Sequence, residues 1–214
     1  MTKLVRFGSR EEWEKGRIRI GGSDAAAVMG MSPHMTNIDL WKIKTGREKQ
    51  KDISNLDVVR YGVAAEPLLR ELFKLDYPGW EVTYAENTVY INDKYPFAHA
   101  SLDGEILEKE TQRKGILEIK TCDVKSSIKN SEWKNQIPQN YYIQLLHYFM
   151  VMEADFAVLK AQLKYNYASL KIDTRHYFIE REDVIEDMKI LEEKERAFHE
   201  YVKKDECPPL ELAI

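Results

Sequence analysis

Two acids and an amine in the middle of this chain have the types and spacing for metal-assisted hydrolysis. Glu118 and Lys120 alternate within the apolar run Ile116-Leu117-Glu118-Ile119-Lys120-Thr121. In a strand, alternate side chains share a face, so these two point the same way while Leu117 and Ile119 face a core. Upstream, Phe97-Ala98-His99-Ala100-Ser101-Leu102-Asp103 alternates as well. That pattern predicts a strand whose His99, Ser101 and Asp103 share one face. Side by side, the two strands offer two carboxylates, a hydroxyl and an ammonium. Phosphodiester hydrolysis needs an activated water and a stabilised leaving oxygen. One or two Mg²⁺ ions on oxygen ligands supply both, about 3.5–4 Å apart in two-metal sites. Clustered carboxylates repel each other, and a hard divalent cation relieves that cost. A lysine beside the cation lowers the pKa of the attacking water or stabilises charge on the phosphorus centre.

The acid-x-lysine triplet alone is weak evidence. Glu132-Trp133-Lys134 and Glu192-Glu193-Lys194 repeat it in polar, helical contexts. Only Glu118 sits in an apolar strand with a second acid on the strand before it. The plain alternative is a surface salt bridge on a half-buried sheet.

The elements that must position these residues read as follows. Ser9-Arg10-Glu11-Glu12 is a capping box opening a short helix with Trp13. Ile20-Gly21-Gly22-Ser23-Asp24 is a turn, and Ala25 to Met29 continue as helix. Thr36 or Asn37 caps the helix through Trp41, which stops at Gly46. Residues 55 to 75 form a longer helix containing Glu66, with Pro67 marking a kink or break. Period two then takes over: one strand at 80 to 91, another from Phe97 to Leu107 turning near Gly104, a third from Gly115 to Thr121. Lys125 to Trp133 reads as a short helix and 139 to 152 as a strong one. Strands return at 156 to 164 and 168 to 180. A charged helix at about 181 to 203, most simply solvated or a subunit contact, precedes Pro208-Pro209. The fold class is α/β (α+β), a central mixed sheet flanked by helices.

The 214 residues suit one domain with a real core, 43% hydrophobic and 32% charged. Cys122 and Cys207 are too few for a four-cysteine zinc or iron–sulfur site and read as reduced and structural. The histidines lack metal-ligand spacing. No run spans a membrane and no signal-peptide stretch leads the chain, which reads as cytoplasmic. The net charge of -4 weighs mildly against nucleic-acid binding, although net charge is blind to where the cations sit.

These residues resemble a known family. Phe97 to Gly104 followed by Gly115 to Thr121 looks like the PD-(D/E)XK nuclease motif with its restriction-endonuclease-like core. Further blocks follow in the order of the lambda-type phage exonucleases, the YqaJ-like viral recombinases. They are Ile20-Gly21-Gly22-Ser23-Asp24-Ala25-Ala26 with Met31-Ser32-Pro33, then Gly62-Val63-Ala64-Ala65-Glu66-Pro67, then Tyr141 to Tyr148. The resemblance covers Trp13 to Met152.

By that resemblance Asp103 and Glu118 are metal-binding acids, the Ile119 carbonyl is a further ligand, Lys120 is the catalytic lysine, and Glu66 helps position metal or water. Ser101 and Gln144 resemble polar residues around the scissile phosphate. Gln144 and Tyr148 share a helix face with Tyr141 nearby; their bland reading is a buried structural pair. Arg17 and Ser23 resemble residues that hold a 5′ phosphate. The spacing before Gly21 is one residue too long, which makes Arg19 a rival for Arg17, and Ser23 could equally be a helix cap. Lys125, Lys129 and Lys134 are candidates for backbone phosphate. His99 reads as structural, and Trp13 and Trp41 as core.

The resemblance implies a Mg²⁺-dependent 5′-to-3′ exonuclease on linear double-stranded DNA, with two Mg²⁺ ions for which Mn²⁺ can substitute. It also implies a homotrimer ring and a phage single-strand annealing protein as partner, inside a bacterial host. The rivals are an endonuclease or flap nuclease of the same superfamily, and an inactive scaffold that binds DNA ends.

Overall fold

A computed structural model describes residues 1–16, 19–165 and 171–212. A five-stranded mixed sheet carries the fold, in the order β3 (Trp80–Thr83), β6 (Gly104–Glu108), β7 (Lys114–Val124), β8 (Phe156–Tyr165), β9 (Lys171–Glu180). Neighbours are antiparallel except β7 and β8, which run parallel. A parallel pair needs a crossover. Here α5 (Ser127–Ser131) and α6 (Gln139–Met152) supply it.

Helices cover both faces. On one lies α4 (Asp57–Asp76), whose Ala65, Leu69 and Phe73 pack with Leu117, Ile119 and Ile106. On the other, α6 packs with α2 (Gly22–Val28) and α7 (Ile185–Lys204), and Ile116 joins that larger core. The alternation expected of β7 therefore holds, but both its faces are roofed. α7 is less solvated than its charge run implies, since Met188, Leu191, Glu195 and Phe198 are buried. Beneath it His147 Nδ1 meets Glu195 Oε1 at 2.7 Å and His147 Nε2 meets the His99 carbonyl at 2.9 Å. That buried link ties α7, α6 and the segment before Asp103 together.

Several boundaries differ from expectation. The strand expected at 80 to 91 is two: β3 ends at Thr83, Asn87 turns at φ 52°, and β4 (Thr88–Asn92) leaves for a second sheet with β1 (Thr2–Arg6). The strand expected from Phe97 to Leu107 also divides. β5 (Ala98–His99) pairs with β2 (Ile20–Gly21), and β6 starts only at Gly104. Pro67 neither breaks nor ends α4. A proline there strips the carbonyl four residues back of its donor. That carbonyl belongs to Val63, which is 69% exposed, so water can serve it. In α1 (Arg10–Gly16) the Ser9 hydroxyl accepts from the Glu12 N–H as expected, but the Glu12 carboxylate reaches Gly8 N–H rather than Ser9. Thr36 caps α3 (Asn37–Lys44) and Gly46 follows it at φ 73°. The expected 125-to-133 helix shrinks to α5. Both cysteines are free thiols, and Cys207 is exposed rather than structural. No helix among the described residues is long and apolar enough to cross a membrane.

Candidate active site

The site forms where two strands part. β6 follows β7 only as far as Gly104 opposite Leu117. Before Gly104 the chain bends away, and Asp103 occupies the bend rather than a strand. Alternation therefore does not set its direction. Instead its Oδ2 accepts the Ile119 N–H at 2.8 Å, a bond that a longer β6 would have supplied. The carboxylate is held at the fork by the strand beside it. His99, which the alternation placed on the same face, is buried at 2% exposure and serves the core.

Glu118 points from β7 toward α6 and is 2% exposed. Its Oε1 takes two donors: Lys120 Nζ at 2.5 Å and Gln144 Nε2 at 2.7 Å. The same Gln144 nitrogen lies 2.8 Å from the Tyr148 hydroxyl. The i,i+4 helix pair thus reaches the acid through its glutamine. Lys120 is more open, and its ammonium stands 5.2 Å from the centre of the Tyr141 ring.

Glu66 arrives from the α4 side through the same fork. Its partner is Arg70 one turn on, a residue the sequence reading did not single out. Arg70 is buried. Its Nε donates to the Asp103 carbonyl at 2.5 Å, and its guanidinium lies 3.7 Å from the centre of the Tyr84 ring. Arg70 therefore fixes Glu66 and the backbone of Asp103 at once. The i,i+4 spacing of Glu66 and Arg70 was the available signal. Glu66, Asp103, Arg70 and Ser101 line one cleft of about 480 Å³. Ser101 Oγ leans on the Thr88 carbonyl at 3.4 Å.

The charges are crowded. Burial, then the Asp103 charge, pushes the Glu118 carboxyl up to about 8. The same two causes lift Glu66 to about 7, against Arg70 and Lys120. Burial raises Asp103 also, while Lys120, the Ile119 N–H and Arg70 pull the other way. For Lys120, burial alone would weaken the ammonium, but Glu118 and Asp103 more than offset it, so it stays charged.

A divalent cation fits this donor set. Glu118 Oε2 is buried without a hydrogen-bond partner among the described residues. A buried acceptor left bare is costly. Among the described residues no three His, Cys, Asp or Glu side chains form a ready cage. Mg²⁺ does not need one, since it binds through one or two carboxylates and keeps waters and substrate phosphates for the rest. Asp103, Glu118 and the Ile119 carbonyl would hold it, with Glu66 beside them.

The remaining expected residues are spread around this centre. Tyr141 packs between Lys120 and Trp133, 5.5 Å from the latter. Ser23 is exposed as the second residue of α2. It is not the cap, which is Gly21, with Asp24 Oδ2 accepting the Gly21 N–H. Arg19 donates from Nε to the Pro96 carbonyl at 2.9 Å. Arg17 lies outside the described residues. Lys125 is exposed beyond the end of β7, and Lys129 is paired with Glu132. Trp13 is buried, with its Nε1 on the Thr88 carbonyl, and Trp41 is buried too.

Gly22 reads from the sequence as part of a turn and of a family block with no role of its own, yet it decides how closely α2 approaches α6. A Cβ there would lie 2.4 Å from Tyr148 Cε1 and 3.1 Å from Gln144 Cγ. Gly22→Ala should therefore push the Tyr148–Gln144 pair off Glu118 and cost about 1–3 kcal/mol, as overpacking does. Urea denaturation reads the loss, and an unchanged midpoint would show that α2 yields freely.

Known proteins resemble this chain in sequence and fold. The YqaJ-like viral recombinase domain matches residues 11–155. The protein YqaJ of Bacillus subtilis (strain 168) is 30% identical over 172 residues, 77% of this chain and 51% of the relative. The chain thus spans about half the length of that curated relative. The fold is similar to the alkaline exonuclease LHK-Exo of Laribacter hongkongensis. The TM-score is 0.69 at 17% identity, covering 91% of this chain and 93% of the other. It is also similar to a phage-related exonuclease of Haemophilus somnus 129PT, with a TM-score of 0.56 at 13% identity over 87% and 96%. The match covers more than half of the chain, and this chain belongs to the YqaJ-like viral recombinase family.

Proposed function

We propose that this chain is a Mg²⁺-dependent 5′-to-3′ exonuclease that degrades one strand of linear double-stranded DNA and leaves a 3′ single strand. The observation that carries the reading is Glu118: a buried acid with one oxygen bare, Lys120 on the other, and Asp103 held beside it. The fold similarity to exonucleases supports it, and LHK-Exo has been solved in complex with dAMP, a mononucleotide of the kind this reaction releases.

When bound, the cation, two ions in this reading with Mn²⁺ able to substitute, neutralises phosphate charge and acidifies the attacking water. The chain's own groups do the rest. Asp103 and Glu118 orient the ion-binding oxygens, and Gln144 locks the Glu118 carboxylate in place. Lys120 brings a permanent positive charge to the scissile phosphate and steadies the water that attacks it. Glu66 lies in the open cleft, where it can accept a proton from water. Ser23 with Arg17 or Arg19 would receive the 5′ phosphate, while Ser101, Tyr141 and Lys125 would border the path of the strand; Tyr148, expected there too, is buried and touches the site only through Gln144. In this reading the chain works in a bacterial host as a homotrimer ring around the DNA, handing its product strand to a phage annealing protein. A ring with cations turned inward lets a weakly acidic chain hold DNA.

End-labelled linear duplex, with and without a 5′ phosphate and beside a circular control, tests the reading. We expect 5′ label to be released first as mononucleotide, with the circle untouched and EDTA stopping the reaction. Cleavage of the circle would make the chain an endonuclease. Binding to ends without digestion in Mg²⁺ or Mn²⁺ would make it a scaffold.

A further inference from the structure

β9 is an edge strand. Among the described residues no strand pairs with its outer side, and none of its outward backbone groups between Lys171 and Glu180 has a backbone partner outside the sheet. Such an edge is a template for another strand, and proteins usually blunt it with charge or proline. The first half of β9 is blunted by Lys171, Asp173 and Arg175. Most of the second half, His176-Tyr177-Phe178-Ile179, carries neither a lysine, an acid nor a proline, and Phe178 is 54% exposed; only the closing Glu180 is charged, and it is paired with Arg113.

That unblunted half lies in a groove. Arg175 to Ile179 form one side of a trough of about 820 Å³ whose far wall includes Lys134, Gln136, Ile137 and Tyr142. The wall is pinned at its distance from the strand. Arg175 Nη1 and the Tyr177 hydroxyl both donate to the Trp133 carbonyl, at 2.7 and 2.6 Å. On a chain of net charge -4, the trough has Lys134 and Arg175 in its lining and no carboxylate. Asp173, on Arg175, and Asp187, on Tyr142, touch lining residues from outside it. The groove is also separate from the catalytic centre. Tyr177 and Arg175 stand in register with Glu118 and Lys120 two strands away, with Trp133 and Tyr141 between.

We propose that the β9 edge docks an extended segment of a partner protein, added as a sixth strand, whose groove-facing side chains take turns between apolar and acidic. Main-chain bonds to the edge supply the affinity, as in other strand-addition complexes. On that face the apolar side chains meet Tyr177, Ile179 and Ile137, and the acidic ones meet Lys134 and Arg175.

The test uses the full chain without DNA or divalent ion, so its outcome is independent of the nuclease reading. A fluorescein-labelled octapeptide with Thr at the odd positions and Val and Glu taking turns at the even ones, so that both line one face, is titrated by anisotropy. We expect saturable binding, and no binding of the Lys-for-Glu version. N-methylation of alternate peptide amides should weaken binding at least about tenfold, as should Phe178→Lys and Lys134→Glu, each checked for folding by circular dichroism. Absence of saturable binding, or equal binding of the N-methylated peptide, overturns the proposal without any variant. So does tighter binding of a short oligothymidine at the same groove, which would make it a single-strand track. A change of oligomer mass in Phe178→Lys would assign the edge to a second copy and overturn it equally.

Discussion

Lys120→Ala should reduce Mg²⁺-dependent degradation of linear duplex by at least about 10²–10³-fold, the usual cost of removing one preorganised charge-stabilising donor. The argument rests on position. Lys120 is the cation in contact with Glu118, and the Glu118 and Asp103 charges outweigh burial and keep its proton in place across the working pH range. Glu118→Ala and Asp103→Ala should be as damaging, for a different reason: the first removes the bare buried oxygen and the second the carboxylate held beside it, the pair that would hold the cation. The two kinds of loss separate in a metal titration. Extra Mg²⁺ should partly rescue Asp103→Ala and do nothing for Lys120→Ala. Circular dichroism should show the fold intact in all three. Full activity of purified Lys120→Ala would remove that residue from the chemistry.

The second large effect is on stability as a function of pH and metal. Glu118 titrates near 8 and Glu66 near 7 in the folded chain, both above the ordinary glutamate value of 4.5. Raised acids bind protons more tightly folded than unfolded, so the folded state is favoured at low pH. That advantage is lost as pH rises from about 4.5 through 8, where a buried carboxylate must ionise in a crowded site. In EDTA the melting temperature should therefore fall between pH 6 and pH 9. Mg²⁺ binds the ionised form and should restore it, raising the melting temperature by several degrees more at pH 9 than at pH 6. Mg²⁺ affinity should climb over the same window, and digestion with it. A melting temperature that rises with pH in EDTA, or a Mg²⁺ effect equal at both pH values, would refute the assignment of these carboxyls to the ion.

How legible this was in the sequence depends on which force sets each residue. Glu118 and Lys120 were readable because β7 is long and regular, so period two decides its faces. Gln144 and Tyr148 were readable because α6 is an uninterrupted helix. The sheet's mixed character followed from the crossover between β7 and β8. Asp103 was found as a residue but for a wrong reason. The strand supposed to orient it ends before it, and a tertiary bond to Ile119 does the orienting. The break at Asn87 was missed because Tyr84 to Thr88 lacks glycine and proline, leaving one asparagine as the sole turn signal. The spacing of Arg70 from Glu66 was visible, but its reach to the Asp103 carbonyl, like the part played by Gly22, lies in distances between elements. A local pattern cannot show that one helix must come within reach of a tyrosine on another.

The hairpin between β6 and β7 turns at Lys109 to Arg113, with Gln112 at φ 63°, at the end remote from the catalytic fork. The length of that turn acts as a ruler. It sets which residue of β7 meets Gly104, and so which amide Asp103 can grip. One residue gained or lost there would slide β6 along β7 and turn each pair of facing side chains over. Asp103 would then meet a different amide and lose its place beside Glu118, with every acid still present in the sequence.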